Sequence, residues 1–173
     1  MGSAITTSEK WAIGNSRLLR LNQFLVYNLN RQSFACPMKR VQGVMGPQPI
    51  IPMDDAPPFV KGAISVRRKL IPVIDLRLML GMPPRVPNRR NCVLLVTVGD
   101  APYDVRIGLI VDSVAEVMEI DPLDVNEVLD RPCCERTGLV TGTTRVRGQL
   151  TRLINVNVLL TQEERAAISS LGT

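Results

Sequence analysis

The chain has 173 residues, enough for one or two compact units with a real core, and its 45% hydrophobic and 21% charged residues exclude wholesale disorder. The net charge of +5 comes mostly from arginine, since only four residues are lysine, and it suits either an acidic partner or a solvated basic surface. Aromatics at 3% are too few for base-stacking platforms, and the absence of histidine leaves only carboxylates, lysines or thiols for catalytic chemistry.

Residues 1–20 are polar and without a strong period, which predicts a flexible tail with at most a helical turn near Trp11. From Asn22 the pattern changes. Phe24 to Leu29 reads as a first strand, and Asn30-Arg-Gln-Ser33 has hairpin-turn chemistry. Phe34 to Met38 begins a second strand, in which Pro37 lacks a donor and favours an edge or a bulge. Val41 to Met45 continues it. Prolines at 47, 49, 52, 57 and 58 then hold an extended, stiff loop suited to docking, with Ile51 and Met53 as an exposed apolar pair. The adjacent Asp54 and Asp55 point in different directions and read as turn-solvating acids, not a catalytic pair.

Phe59 to Leu80 holds a glycine-bearing strand, a basic turn at Arg67-Arg68-Lys69, a buried strand and a stop at Asp75 that caps a short helix. Gly81 ends the helix and opens an exposed basic linker to Arg90. Val93 to Val98 and Tyr103 to Val111 read as paired strands about the Gly99–Pro102 turn. The acidic stretch Glu119 to Glu127 reads as a solvated loop, and Thr161-Gln-Glu-Glu164 has capping-box spacing for a terminal helix running to about Ser169.

The chain echoes itself. Val60, Gly62, Val66, Arg67, Leu70, Ile74 and Leu80 recur eighty positions on as Val140, Gly142, Val146, Arg147, Leu150, Ile154 and Leu160, seven identities in 21 positions, with Asp75 opposite Asn155. A weaker echo at 73 positions sets Phe34, Met38, Val41, Val44 and Met45 against Ile107, Val111, Val114, Val117 and Met118. The chain therefore reads as two related β-rich lobes.

Cys36 and Cys92 lie in apolar strands, where a thiol acts as a small hydrophobe, and adjacent Cys133 and Cys134 are poorly placed to bridge each other. Without histidine, a Cys-x-x-Cys pair or a phosphate-cradling glycine motif, the expectation is no metal, no cofactor and no enzymatic turnover. No window reaches the roughly 18 apolar residues of a membrane span, and Met1 to Arg20 lacks a signal-type apolar run. A cytoplasmic protein without direct membrane insertion is expected.

Phe24-Leu-Val, Phe34 with Met38-x-x-Val41-Gln42, Ala56-Pro-Pro-Phe-Val-Lys-Gly62, Val66-Arg67, Ile71-Pro-Val-Ile-Asp-Leu-Arg77, Gly108-Leu-Ile-Val-Asp112 and Gly138-Leu-Val-Thr-Gly142 together resemble the CheW family of bacterial chemosensory coupling proteins. The resemblance runs in order from about Gln23 to Glu164. It implies a mainly β fold of two interlocked five-stranded SH3-like β-barrel subdomains, with short helices and a C-terminal helix. The domain would cover 21–165, its lobes meeting near 81–92, with 166–173 as helix end and tail.

The resemblance further implies a stand-alone, non-catalytic adaptor joining the cytoplasmic tips of chemoreceptors to the regulatory domain of a CheA-like histidine autokinase, recruited to membrane-associated receptor arrays. The matching receptor-binding residues are Leu25, Met38, Val41 and Val114 in an apolar groove between the lobes, with Arg67 as an electrostatic anchor. Ile51, Met53 and Asp54 of the proline loop would face the kinase. Two departures bear on partner specificity: Arg68 stands where the family turn usually has glycine, and Gly43 stands where an acid usually follows Val-Gln. The competing reading, resting on the arginine excess alone, is a small basic β-barrel that binds nucleic acid.

Overall fold

The computed structural model describes residues 22–83, 90–127 and 138–171; the expected N-terminal tail, the middle of the basic linker and Cys133 and Cys134 lie outside the described residues. Eleven strands are described, in chain order β1 (Gln23–Leu29), β2 (Gln32–Pro37), β3 (Val41–Met45), β4 (Val60–Val66), β5 (Lys69–Asp75), β6 (Cys92–Val98), β7 (Val105–Val111), β8 (Ser113–Glu119), β9 (Asn126–Glu127), β10 (Val140–Val146) and β11 (Gln149–Ile154). Two α-helices accompany them, α1 (Leu76–Met79) and α2 (Gln162–Leu171), with short 3-10 turns at Met38–Arg40, Pro122–Asp124 and Val156–Val158.

The strands form two mixed sheets, one of six strands in the order β8-β1-β2-β11-β10-β9 and one of five in the order β3-β6-β7-β5-β4. Each sheet takes strands from both halves of the chain. The exchange is made by two parallel pairings at twin positions: Val73 beside Gly108 joins β5 to β7, and Leu153 beside Ala35 joins β11 to β2. The sixth strand, β9, is two residues of the acidic stretch added along β10. Pro37 is not on an edge strand. It ends an inner strand, and the parallel partner β11 is paired only from Ser33 to Ala35, so no ladder bond is asked of the proline.

Alternation along the strands divides their side chains between two destinations. Leu25, Tyr27 and Leu29 of β1 and Ile107, Leu109 and Val111 of β7 enter one large core that both sheets share. The opposite faces fill two smaller cores, one around Val26, Ala35, Val146 and Leu153 and one around Ile64, Val73, Val93 and Ile110. Each small core draws on the outer strands of its own sheet, Met118 of β8 with Val146 of β10 in one and Met45 of β3 with Ile64 of β4 in the other. Each sheet thus curls over its own core while packing its back on the other.

The repeat is structural as well as sequential. Register shifts at Val60/Gly62 and Val140/Gly142 kink both hairpins at the same point. At each kink the glycine admits a neighbouring segment: a Cβ on Gly62 would collide with the Ile51 carbonyl, and one on Gly142 would lie 2.6 Å from the Val125 side-chain Cγ1 and 3.1 Å from the Asn126 carbonyl. Ile50-Ile51 and Val125-Asn126 are therefore twins, which the sequence echo does not reveal. Both strands that follow end on a cap, Asp75 accepting from the Arg77 amide at 3.0 Å and Asn155 from the Asn157 amide at 3.1 Å. At α2, Thr161 and Glu164 exchange side-chain-to-amide bonds of 3.1 and 2.7 Å, the reciprocal capping box.

Candidate protein-interaction site

The four apolar residues expected at a receptor groove come together in the shared core. Leu25, Met38 and Val41 are 4%, 1% and 5% exposed, so they support the surface from beneath, and only half-buried Val114 reaches it. The pairing register explains the grouping: Val114 lies across from Tyr27 on the β1–β8 edge, and Val41 across from Val96 on the β3–β6 edge. The sequence marks Val44 only through the repeat and not as a surface residue, because apolar residues carry no mark of whether they face core or solvent. It is 47% exposed, whereas its twin Val117 packs against the shared core.

Arg67 is on the β4–β5 turn, at the other end of its sheet's strand order from β3. It and Arg68 have φ of 50° and 67°, the left-handed pair that a two-residue hairpin turn needs. In the twin turn those places are taken by Arg147 and Gly148. Arg147 donates to both carboxylate oxygens of Glu116 on β8, at 2.6 and 2.8 Å, tying the turn to the far side of the same sheet. That pair draws the Glu116 carboxyl below the usual range, first through the hydrogen bond and then through charge, and it raises the Arg147 guanidinium. No described residue makes an ion pair with Arg67, Arg68 or Lys69.

The proline loop is held by a backbone bridge in which the Ile51 amide donates to the Ala63 carbonyl at 2.7 Å and the Ala63 amide to the Ile51 carbonyl at 2.8 Å. Ile51 is 44% exposed and Asp54 is exposed. Met53, expected to be exposed, is half-buried, because the bridge draws the loop onto the sheet edge. Asp55 takes a left-handed φ of 60° beside Asp54, the turn role expected of the adjacent acids.

Among the described residues, no three or more cysteine, aspartate or glutamate side chains gather in a metal-holding group. A cleft of about 220 Å³ between the ends of β2 and β11 is lined in part by Lys39, Arg40, Thr141 and Asn155. It falls below the roughly 300–1,000 Å³ typical of small-molecule pockets. Arg40 is already engaged by the Gly99 carbonyl at 2.5 Å and by Asp100 at 3.0 Å. Cys36 is fully buried on β2, where burial pushes its thiol up to about 12, so it is not a thiolate nucleophile at neutral pH.

Two interlaced sheets with paired hairpins, a pinned proline loop and a basic turn that makes no ion pair among the described residues define a β-sheet protein of two related repeats. The profile of the CheW-like domain matches residues 23–164, and the chain belongs to that family. The chemotaxis protein CheW of Rhizobium meliloti (strain 1021) is 24% identical over 145 residues, covering 84% of this chain and 91% of the relative. CheW of Thermotoga maritima is 28% identical over 120 residues, covering 68% and 76%. The crystal structure of the scaffolding protein TtCheW from Thermoanaerobacter tengcongensis superposes with a TM-score of 0.69 at 26% identity, covering 79% of this chain and 90% of that one. The nucleic-acid reading finds no support in these relatives. Tyr103 is the one largely exposed aromatic among the described residues, so a stacking face is missing.

Proposed function

We propose that this chain is a non-catalytic chemosensory adaptor that holds the cytoplasmic tip of a chemoreceptor on one surface and the regulatory domain of a CheA-like histidine autokinase on another. The observation that carries this reading is the family match across 23–164, which spans both sheets and both repeats. No described helix is long and apolar enough to cross a membrane, so attachment to a receptor array would run through the receptor. Its place would be the cytoplasmic side of that array.

On this reading the receptor lies against the apolar edge that Val114 opens and that Leu25, Met38 and Val41 support, with Arg67 supplying charge. Val41 is too buried for a clean binding test, since Val41→Ala would disturb the shared core. The kinase takes the Ile51, Met53 and Asp54 loop, whose anchored backbone limits the ordering cost of docking. The test uses the full chain, a receptor-tip helical hairpin and the kinase regulatory domain in separate titrations. Met53→Asp is expected to weaken kinase binding and leave receptor binding and the unfolding midpoint nearly unchanged. Equal loss of both partners, or binding of neither by the wild-type chain, would refute the assignment.

A further inference from the structure

The two repeats differ at the position that supplies the carboxylate of an ion pair. By the 73-residue echo, Glu116 on β8 is the twin of Gly43 on β3, and the pairing registers agree: Glu116 faces Val26 just beyond a register shift, and Gly43 faces Leu95 at the equivalent shift. Arg147 and Arg67 are twins on the facing turns. In the second repeat the carboxylate and guanidinium meet and close the end of the curled sheet. Val26 and Val146 near this closure are 3% and 6% exposed. In the first repeat the carboxylate is missing, Arg67 makes no ion pair with any described residue, and the twins Leu95 and Val66 are both left partly exposed.

The backbone at Gly43 has room for a Cβ. A Cβ built on Gly43 would touch only Leu95 Cδ1, at 3.9 Å, an ordinary contact. Val66 and Leu95 pack on the same small core, and by equivalence with the closed second repeat the end of the first sheet is read as a notch with these two as its apolar floor and Arg67, Arg68 and Lys69 as its basic rim.

We infer that this notch is a receptor-specificity site that accepts a glutamate side chain from the bound helix, its methylenes on Leu95 and Val66 and its carboxylate on Arg67. The occupant is chosen by complementarity: the molecule already contains the filled version of the site, and the group that fills it is a glutamate. The glycine at 43 turns an internal ion pair into an external one. This inference rests on the adaptor reading for the identity of the partner, but not for the existence of the notch.

Two measurements separate those parts. In the free full-length chain, Gly43→Glu places the carboxylate internally, and a carboxyl NMR titration should find Glu116-like depression of the new group that disappears when Arg67→Ala is added. An unperturbed carboxyl overturns the notch. In titrations with a chemoreceptor-tip helical hairpin, Gly43→Glu should weaken binding by roughly fivefold or more at low salt, the size expected for loss of a partly exposed charge pair. Added salt should shrink the difference, and Gly43→Gln should leave more of the salt dependence in place. One receptor glutamate changed to glutamine should reproduce the loss in the wild-type chain and add little to Gly43→Glu. If the wild-type chain binds the hairpin and Gly43→Glu changes neither affinity nor salt dependence, the specificity role is wrong and the adaptor reading stands. If it binds no receptor hairpin, the adaptor reading and the named occupant both fall, and the carboxyl titration still decides the notch.

Discussion

The β4–β5 and β10–β11 hairpins occupy twin places, kink at twin glycines and turn through twin arginines, yet the second ends in a saturated ion pair and the first in a basic cluster that pairs with no described residue. A second contrast lies where each cap meets the opposite sheet. Arg77, buried at the start of α1, pairs with Asp112, which also accepts from the Asn30 amide at 2.7 Å and from Asn91 at 3.3 Å. Its twin Asn157 accepts from the Gly99 amide at 3.1 Å, and Gly99 is the register twin of Asn30. The same tie between a cap and a hairpin turn is made with charge at one end and with an amide at the other. The tie is present in both repeats, with different chemistry.

That equivalence breaks most visibly if each tie is cut. Asp112→Ala removes the hydrogen-bonded partner of the buried Arg77 guanidinium and leaves it only the Asp75 carboxylate at 3.9 Å; it is expected to cost about 3 kcal/mol, since breaking a buried pair is the expensive outcome. Asn157→Ala removes one neutral bond and should cost about 1 kcal/mol. Urea midpoints of the two variants check the ratio; equal losses would mean that Arg77 finds another partner and that its charge adds nothing to the tie.

The turn comparison sharpens through Arg68. It holds φ of 67° where the twin has Gly148 at 80°, and a branched-free but bulky side chain in that region costs roughly 1 kcal/mol relative to glycine. Arg68→Gly should therefore raise stability by about that amount while lowering receptor affinity at low salt. A gain in stability with unchanged affinity would leave the basic turn as a solvated hairpin.

The repeat was legible because its marks are positions with few substitutes: Gly62 and Gly142 at backbone contacts, Arg67 and Arg147 in left-handed turns, Asp75 and Asn155 as caps. The exchange of strands could not be read from local pattern. It depends on parallel pairs such as Ser33 with Thr151, 118 positions apart in sequence, and both faces of β6 and β7 are apolar, so alternation has no polar phase to assign. The same lack of a polar phase leaves groove and core indistinguishable for Leu25 and Met38, and it hides the burial of Val41. The significance of Gly43 was within reach, since the echo sets it opposite Glu116, but only the bonded geometry of Arg147 shows what the missing acid would do.

The smallest expected effect concerns the filled pair itself. Because hydrogen bonding to Arg147 lowers the Glu116 pKa from its ordinary 4.5, the folded state holds this carboxylate ionised to lower pH than the unfolded chain does. Its contribution to stability is therefore complete above the unfolded pKa and is lost as pH falls through the depressed folded value. A stability difference between the wild-type chain and Glu116→Gln should appear at neutral pH, shrink below about pH 4 and vanish in stronger acid, small throughout because both groups are solvent-accessible. Arg147→Ala should return the Glu116 carboxyl to the ordinary range in a carbon-13 titration. If the carboxyl keeps its depressed pKa without Arg147, the cause is another group, and Glu116 ceases to be a template for what binds beside Gly43.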